Sequence, residues 1–431
     1  MTSVDTAVLQ STFSVDQGRL IRELTTPAGV FRSSIELKEL TGKDGLGDWW
    51  RHGFNGVRPE SDRAARGTAR VVDLFCGPGG LALGFRQAAD ELGIDVISAA
   101  AVDQDDEAVE VYAANHGARR RSSESVSALV DFQVSGVGNE AKFVFDPELL
   151  RDDWSDLVGN TDVILAGPPC QGHSNLNNST RRTDRRNELY LTVPAMAIAL
   201  RAPIVIIENV PAVVHDRQHV VASTENLLRS AGYQVTTGVI AAAKLGWPQS
   251  RQRFFLVARL DVAPLSIAEV SLALSSAERN VLWAIKDLAT RPFDEKMHFE
   301  TELSEENQRR INWLFDSTEY NLPPSERPDC HKDGTTYGAV YGRLYPNKPA
   351  PTITTGFLTP GRGRYIHPTQ RRTLTPREAA RIQGFPDTYE FHVSVDRSPT
   401  KQKLTKWIGD AVPMPLGHAA ALAALGPGWD R

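Results

Sequence analysis

The stretch TDVILAGPPCQGHS, residues 161–174, decides the fold class. Its first half predicts a buried strand over Asp162–Ala166, which a Gly-Pro-Pro turn ends. Cys170 follows at the carboxyl end of that strand, where open α/β sheets bind their ligands. Most free cysteines are small buried hydrophobes, so the residues around Cys170 must decide whether it is a nucleophile.

Length and composition predict one large α/β domain and a smaller one in a chain of 431 residues with a formal net charge of −5. The mildly acidic balance argues against non-specific coating of nucleic acid but leaves room for a local basic groove. The three cysteines, Cys76, Cys170 and Cys330, are far apart, which fits a reducing cytoplasm without a disulfide framework. The sequence predicts no metal site, no membrane span and no signal peptide.

A strand, a glycine-rich turn and a helix follow one another near the start of the large domain. ARVVDLF (69–75) predicts the strand, GPGG (77–80) the turn, and the apolar spacing from Leu81 to Leu92 the helix. This order begins a Rossmann-like nucleotide-binding fold. Because the turn is not GxGxxG and no Walker lysine follows, a cofactor without phosphates is favoured over a dinucleotide or a triphosphate.

The next predicted strand, Val96–Val102, ends at Asp103. An acid there can accept hydrogen bonds from ribose hydroxyls. It can equally cap the helix predicted over Asp105–His116, and the residues alone leave both roles open. Between Gly117 and Asn160 no third strand can be placed, and Asp131 is the nearby candidate for its terminal acid.

Polar and charged residues cluster after Cys170 and after two later strands. The basic stretch NLNNSTRRTDRRNELY (175–190) predicts a lid that closes on a phosphate backbone, with a solvated loop as the alternative. PIVIIENV (203–210) predicts a buried parallel strand ending at Glu208, at the same edge as Cys170 if the two strands are neighbours. In QSRQR (249–253), strand alternation would place Gln249, Arg251 and Arg253 on one face.

The first 70 residues are the least informative part of the chain. They contain a short predicted helix over Ser34–Leu40, the pair Trp49–Trp50 and a polar, linker-like end. We expect an appendage packed on the main domain, and no residue pattern supports a contact with DNA or a partner.

Six motifs together resemble the DNA cytosine-5 methyltransferases, in the order typical of that family. They are DLFCGPGG (73–80), GPPCQGHS (167–174), ENV (208–210), QSRQR (249–253), RTLTPREAARIQGFPD (372–387) and GDAVPMPLGHAAALAALG (409–426). The resemblance implies a Rossmann-like, S-adenosylmethionine-dependent methyltransferase fold of the α/β class, with a mostly parallel sheet and a smaller target-recognition domain. It implies an N-terminal extension (1–68), a catalytic domain (69–262), a target-recognition region (263–371) and a C-terminal segment (372–431) that returns to the catalytic domain.

The resemblance also implies a covalent mechanism. The thiolate of Cys170 would add to carbon 6 of cytosine, so that carbon 5 can attack an activated methyl group. Glu208 would bind the base at N3 and the exocyclic amine, and Arg253 would hold O2. Arg251 and Arg253 are candidates to supply the positive surroundings that a thiolate needs. No residue stands out as the base that removes the C5 proton.

The resemblance assigns further residues to ligands and implies no metal. For S-adenosylmethionine they are Phe75, Gly77, Gly79, Gly80, Leu81, Asp103, Pro168 and Asp410. For DNA they are Gln171, Ser174, Arg182, Arg185 and Gln249. The expected substrate is double-stranded DNA with the cytosine flipped out of the duplex. We expect a monomer on DNA, a cognate restriction endonuclease or defence-system partner, a cytoplasmic location at a bacterial or archaeal nucleoid, and no membrane association.

Two positions depart from the family pattern, since His173 replaces an aromatic residue and Asp410 an asparagine. We expect activity to survive both changes. Three alternatives to a DNA methyltransferase stay open at this point. They are a tRNA methyltransferase with the same chemistry, a catalytically silent DNA-binding homologue and, remotely, a Rossmann-like oxidoreductase.

Overall fold

A computed structural model of the chain describes residues 9–37, 44–62, 66–169, 189–294, 296–329, 339–393 and 398–429. The chain divides into two compact units. Unit 1 comprises Met1–Ala241, Gln252–Ser275 and Met414–Arg431, and unit 2 comprises Ala242–Arg251 and Ser276–Pro413.

The N-terminal part of unit 1 forms a small antiparallel sheet and a helix. The elements are β1 (Gln10–Asp16), β2 (Arg19–Thr26), β3 (Gly29–Glu36), α1 (Gly45–Phe54) and β4 (Glu60–Ser61). The helix predicted over Ser34–Leu40 is wrong in its first three residues, because they end β3. Full-length pairing of β3 with β2 outweighs the local helix propensity there. Residues 38–40 lie outside the described part of the chain.

The remaining strands belong to unit 1. In chain order they are β5 (Thr68–Leu74), β6 (Asp95–Val102), β7 (Arg120–Ser122), β8 (Val130–Asp131), β9 (Val134–Ser135), β10 (Lys142–Phe143), β11 (Glu148–Leu149), β12 (Val163–Ala166), β13 (Ile204–Asn209), β14 (Gln234–Ala241) and β15 (Gln252–Arg259).

The remaining helices divide between the units. Those of unit 1 are α2 (Gly80–Glu91), α3 (Asp106–His116), α4 (Thr192–Leu200), α5 (Val220–Ser230), α6 (Ile267–Ala273) and α11 (Met414–Leu425). Those of unit 2 are α7 (Val281–Ile285), α8 (Glu305–Asp316), α9 (Pro376–Gln383) and α10 (Lys401–Asp410).

A seven-stranded sheet forms the centre of unit 1, in the order β14-β15-β13-β12-β5-β6-β7. Among these strands only β15 runs antiparallel to its neighbours. Every residue of β12 and β13 is buried, as expected for apolar strands covered on both faces. The predicted Rossmann-like, mostly parallel sheet is confirmed, as are the strands predicted from the apolar runs before Phe75, Asp103, Gly167 and Val210.

The chain builds the sheet outward in one direction from β5 and in the opposite direction from β12, which is the neighbour of β5. From β5 the chain proceeds outward through β6 and β7, and on the other side it proceeds from β12 to β13. Connections that leave such a point in opposite directions open a crevice at the carboxyl ends of the strands, where α/β proteins bind ligands. The glycine turn after β5 and the Gly-Pro-Pro turn after β12 both begin at this crevice.

The third parallel strand is β7, which the sequence did not reveal. Its three residues, Arg-Arg-Ser, are too few and too polar to produce a hydrophobic pattern. Asp131 lies in β8, which pairs with β11 outside the seven-stranded sheet. The interpretation of Asp131 as the acid ending the third strand is therefore wrong.

The last helix, α11, is buried along its whole length and packs on α2. A Cβ atom on Gly84 of α2 would lie 2.5 Å from the Met414 carbonyl oxygen and 2.6 Å from the His418 nitrogen. The two helices therefore cross in direct backbone contact. The stretch Lys401–Leu425 is long and apolar enough to cross a membrane by length and composition alone, but 94% of its most apolar part is buried inside the protein, as in the core helix of a folded domain.

The close crossing of α2 and α11 predicts that replacing two helical glycines by alanine changes the free energy of unfolding by different amounts. Gly84→Ala forces a methyl group into backbone atoms and should lower the free energy of unfolding by about 1–3 kcal/mol. Gly53→Ala in α1 is the matched control, because no atom lies within 4 Å of its Cβ position. It should leave stability unchanged or raise it by about 0.5–1 kcal/mol. Urea unfolding measures both, and equal stabilities would contradict the close crossing.

Candidate active site

The turn between β5 and α2 has an unusual backbone. Phe75 has φ of 57°, Gly77 of 50° and Gly79 of 97°. The left-handed region costs a non-glycine residue about 1–2 kcal/mol, so the strain at Phe75 indicates a functional constraint. Gly79 is the N-cap of α2 and provides no side-chain cap. The amides of the first turn of α2 can therefore bind a ligand.

Asp103 links the end of β6 to this turn. Its carboxylate accepts hydrogen bonds from the Gly77 nitrogen and the Asp105 nitrogen, each at 2.9 Å. Asp105 provides the cap of α3, by accepting from the Ala108 nitrogen. The N-cap alternative for Asp103 is therefore wrong. Its predicted contact with ribose hydroxyls stays a prediction.

Two buried acidic groups lie behind the turn. Burial raises the pKa of Asp73 well above its usual range, a hydrogen bond with Tyr112 opposes this, and the nearby charge of Asp103 reinforces it. Burial likewise raises the pKa of the Cys76 thiol, with the two aspartates adding to the effect. Cys76 is therefore an unreactive thiol at neutral pH, and Cys170 remains the candidate nucleophile.

His116, the last residue of α3, is a site neighbour that the sequence analysis missed. It is buried and forms a hydrogen bond with the Gly79 backbone, so it helps to hold the turn in place. Burial, helped by the charge of Arg86, lowers its pKa to about 3. A neutral buried histidine at the end of a helix resembles an ordinary core residue, so no sequence pattern could have revealed it.

Glu208 and Arg253 meet at the ends of β13 and β15. Arg253 Nε lies 2.6 Å from Glu208 Oε1, and their side chains are 13% and 11% exposed. The antiparallel pairing of Glu208 with Phe255 brings Arg253 within reach. A charge-assisted bond of this length fixes the orientation of both groups.

The carboxyl end of β12 lies beside this ion pair. Strand β12 pairs in parallel with β13, so the two strands are neighbours, which was the condition for placing their ends at one edge. A Cβ atom on Gly167 would lie 3.8 Å from both Glu208 Oε2 and the Phe75 carbonyl oxygen. The Pro168 carbonyl accepts from Asn209 Nδ2 at 3.3 Å. The glycine turn, the start of the Gly-Pro-Pro turn and Glu208 therefore form one site.

Several residues predicted for the site do not appear among the contacts described so far. Leu81 is buried in the first turn of α2 and lies under Gly417 of α11. Asp410, the last residue of α10, is exposed and pairs with Lys406 Nζ at 3.0 Å in unit 2. Residues 170–188 lie outside the described part of the chain, and they include Cys170, Gln171, His173, Ser174, Arg182 and Arg185.

Gln249 and Arg251 are buried in unit 2. Gln249 Nε2 donates to the Ile382 carbonyl at 2.9 Å and to Gln383 Oε1 at 3.0 Å. Arg251 Nη1 donates to the carbonyls of Ile353 at 2.9 Å and Gly409 at 2.8 Å. Such contacts hold chain segments together and do not favour the predicted DNA contact of Gln249.

The predicted alternation across QSRQR is wrong, because β15 begins only at Gln252. Gln249 and Arg251 precede the strand, so its two-residue period does not place them on the face of Arg253. The sequence pattern could not distinguish a strand entry from the strand itself.

Replacement of Arg251 separates a structural from a catalytic role. Arg251→Lys loses the planar guanidinium that serves two buried carbonyls, so it should lower the free energy of unfolding by about 1–3 kcal/mol in calorimetry. Arg309→Lys, at an exposed ion pair with Glu326, is the control and should change stability by less than about 0.5 kcal/mol. Unchanged stability of Arg251→Lys with loss of catalysis would instead support the catalytic role predicted from sequence.

Comparison with known proteins agrees with this geometry. The model of the C-5 cytosine-specific DNA methylase family matches residues 69–424. The type II methyltransferase M1.BsuMI of Bacillus subtilis is 38% identical over 370 residues, covering 85% of this chain and 83% of the relative. The type II methylase M.HgiDII of Herpetosiphon aurantiacus is 31% identical over 363 residues, covering 81% and 93%.

Solved structures share the fold. The S. pombe Dnmt2 methyltransferase matches with a TM-score of 0.54 at 18% identity, covering 82% of this chain and 98% of that chain. A DNMT2 mutant of Spodoptera frugiperda matches with a TM-score of 0.51 at 16% identity, covering 81% and 97%. With the matched family model and the glycine turn, Gly-Pro-Pro turn and Glu208–Arg253 pair in one site, the chain belongs to the C-5 cytosine-specific DNA methylase family.

Proposed function

We propose that this protein transfers a methyl group from S-adenosylmethionine to carbon 5 of cytosine in double-stranded DNA through a covalent bond at Cys170. The observation that carries the proposal is the ion pair of Glu208 and Arg253, held beside Gly167 and the turn at Phe75. It supplies fixed polar groups for a base edge next to a turn suited to a cofactor. The oxidoreductase alternative has no support in this arrangement.

The turn after β5 would hold the cofactor. No atom lies within 4 Å of the Cβ position of Gly77, so a ligand can approach the backbone closely there. Half-buried Phe75 would pack on the adenine, and Asp103 would accept the ribose hydroxyls. We assign Gly79, Gly80, Leu81 and Pro168 to the same ligand, and the contact expected for Asp410 stays a prediction. When bound, S-adenosylmethionine supplies an electrophilic methyl group.

The ion pair would bind the cytosine. Glu208 would hold N3 and the exocyclic amine, and Arg253 would hold O2. In its protonated form Glu208 would offset the charge that builds on the ring during attack. Because the pair is nearly buried, both groups are oriented before the base arrives, which lowers the cost of reorganisation.

Cys170 would act on the face of the bound base. Its thiolate would form a bond to carbon 6, and carbon 5 would then form a bond to the methyl carbon while the bond from that carbon to the sulfonium sulfur breaks and the neutral thioether leaves. Loss of the C5 proton to a base, followed by cleavage of the sulfur–carbon bond, restores the aromatic ring and the thiolate. We propose that Arg253 supplies the positive charge near the thiolate, because Arg251 is committed to two carbonyls in unit 2.

We propose that the residues after Cys170 engage the DNA. A cytosine inside a duplex is inaccessible, so we propose that it is flipped into the site. Gln171, Ser174, Arg182 and Arg185 are proposed to close on the phosphate backbone. The relatives named type II methyltransferases lead us to propose a restriction-modification role, with a cognate endonuclease and action as a cytoplasmic monomer on DNA.

Nucleoside analysis tests the proposal directly. Purified protein is incubated with S-adenosylmethionine and either mixed-sequence DNA or total tRNA. The nucleic acid is then hydrolysed to nucleosides, which are identified by mass spectrometry. We expect 5-methylcytosine in DNA only. Glu208→Gln should lower the rate by about 10²–10⁴-fold because it cannot donate a proton. Glu225→Gln, in α5, is the control and should retain the wild-type rate.

Methylation of tRNA alone would overturn the DNA assignment. Absence of 5-methylcytosine in both substrates, with DNA still bound, would indicate a silent DNA-binding homologue.

A further inference from the structure

The N-terminal residues 9–62 lie before the segment matched by the family model, which begins at residue 69. The sequence left their role open. In the structure their described part forms β1–β4 and α1, and β3 and β4 pack against α2. We call the described residues 9–37 and 44–62 the N-terminal module.

The carboxylate of Glu91, in the last turn of α2, is the point where the module meets the catalytic core. Glu91 is fully buried. Its Oε1 accepts from Arg22 Nη1 at 2.5 Å and from Trp49 Nε1 at 3.1 Å, both in the module. It also accepts from Gln87 Nε2 at 3.0 Å, while Oε2 lies 2.7 Å from His418 Nε2 in α11. We call these five residues the Glu91 cluster.

Burial makes this cluster sensitive to the loss of any partner. A buried carboxylate is costly unless opposite charges and hydrogen bonds compensate it. Burial alone would raise the pKa of Glu91, but the charges of Arg22 and His418 prevail and lower it to about 2. The Arg22 guanidinium also lies against aromatic rings, 5.5 Å from the Phe13 centroid and 5.8 Å from the Trp49 centroid.

The helix that carries Glu91 begins at the proposed cofactor turn. The N-cap of α2 is Gly79, and its middle touches α11 at Gly84. A short helix behaves as a rigid rod, so fixing its last turn fixes the direction of its first turn. The module and α11 therefore hold α2 at two separated points.

We propose that the N-terminal module is a positioning element for the cofactor, with Arg22 and Trp49 holding Glu91 and thereby the turn at the start of α2. The proposal rests on the proposed function in one respect, because one of its two measurements is the binding of S-adenosylmethionine. The buried ion pair of Arg22 with Glu91 of α2 favours this role. A module that only recognised DNA or bound a partner would need no such ion pair with α2.

The test compares two arginines that pair with adjacent residues of α2. Arg22→Met removes the buried partner of Glu91. Arg58→Met removes an ion pair of the same length, 2.5 Å, to Asp90, but Arg58 is 61% exposed. Full-length variants are examined by calorimetric titration with S-adenosylmethionine. We expect Arg22→Met to raise Kd by about tenfold or more, Arg22→Lys by less, and Arg58→Met by less than about twofold.

Hydrogen exchange on the ligand-free protein supplies a readout that does not depend on the proposed function. Arg22→Met should accelerate exchange along α2 up to its first turn, whereas Arg58→Met should affect the last turn at most. If Arg22→Met does not fold, Trp49→Phe replaces it, because it removes one hydrogen bond to Glu91 and keeps an aromatic ring.

Three results decide the question. Weaker cofactor binding with faster α2 exchange supports the positioning role. Wild-type binding and exchange in a folded Arg22→Met variant overturn it. A wild-type protein that binds no S-adenosylmethionine contradicts the proposed function, and the exchange data then decide the positioning role alone.

Discussion

The parallel pairing of β12 with both β5 and β13 is the constraint on which the site depends. It places three strand ends side by side, so that the glycine turn, the Gly-Pro-Pro turn and Glu208 share one edge of the sheet. Every residue of β12 and β13 is buried, and a slip in their register would move every side chain to the other face. The hydrophobic core therefore determines the geometry of a polar site.

The central sheet was predictable from sequence because its strands are continuous apolar runs bounded by glycine, proline or acids. Strand β7 and the N-terminal sheet were not predictable, because polar residues dominate β7 and the burial of residues in β1–β3 is determined by tertiary packing, without a strict apolar alternation in the sequence. The prediction of a helix beginning at Ser34 was wrong for the same reason, because pairing of β3 with β2 outweighed the local helix propensity.

Motif resemblance predicted residues for the site but not the surroundings of each. Glu208 and Arg253, both expected from the resemblance to hold the cytosine, form an ion pair. Gln249 and Arg251, from the same five-residue motif as Arg253, are instead buried donors to backbone carbonyls. A motif specifies residue types, whereas burial and partners depend on contacts distant in sequence, such as those of Arg251 with Ile353 and Gly409. His116 and the Glu91 cluster show the same limit.

The central claim is that the site assembled at these strand ends drives covalent catalysis by Cys170. Covalent trapping on DNA containing 5-fluorocytosine, with S-adenosylmethionine present, tests it most directly, because fluorine at carbon 5 cannot leave as the proton does. We predict a stable protein–DNA adduct whose cross-linked peptide contains Cys170 and which is absent from Cys170→Ala but retained in Cys76→Ala. An adduct that persists in Cys170→Ala, or methylation of normal DNA without any trapped adduct, would contradict the account.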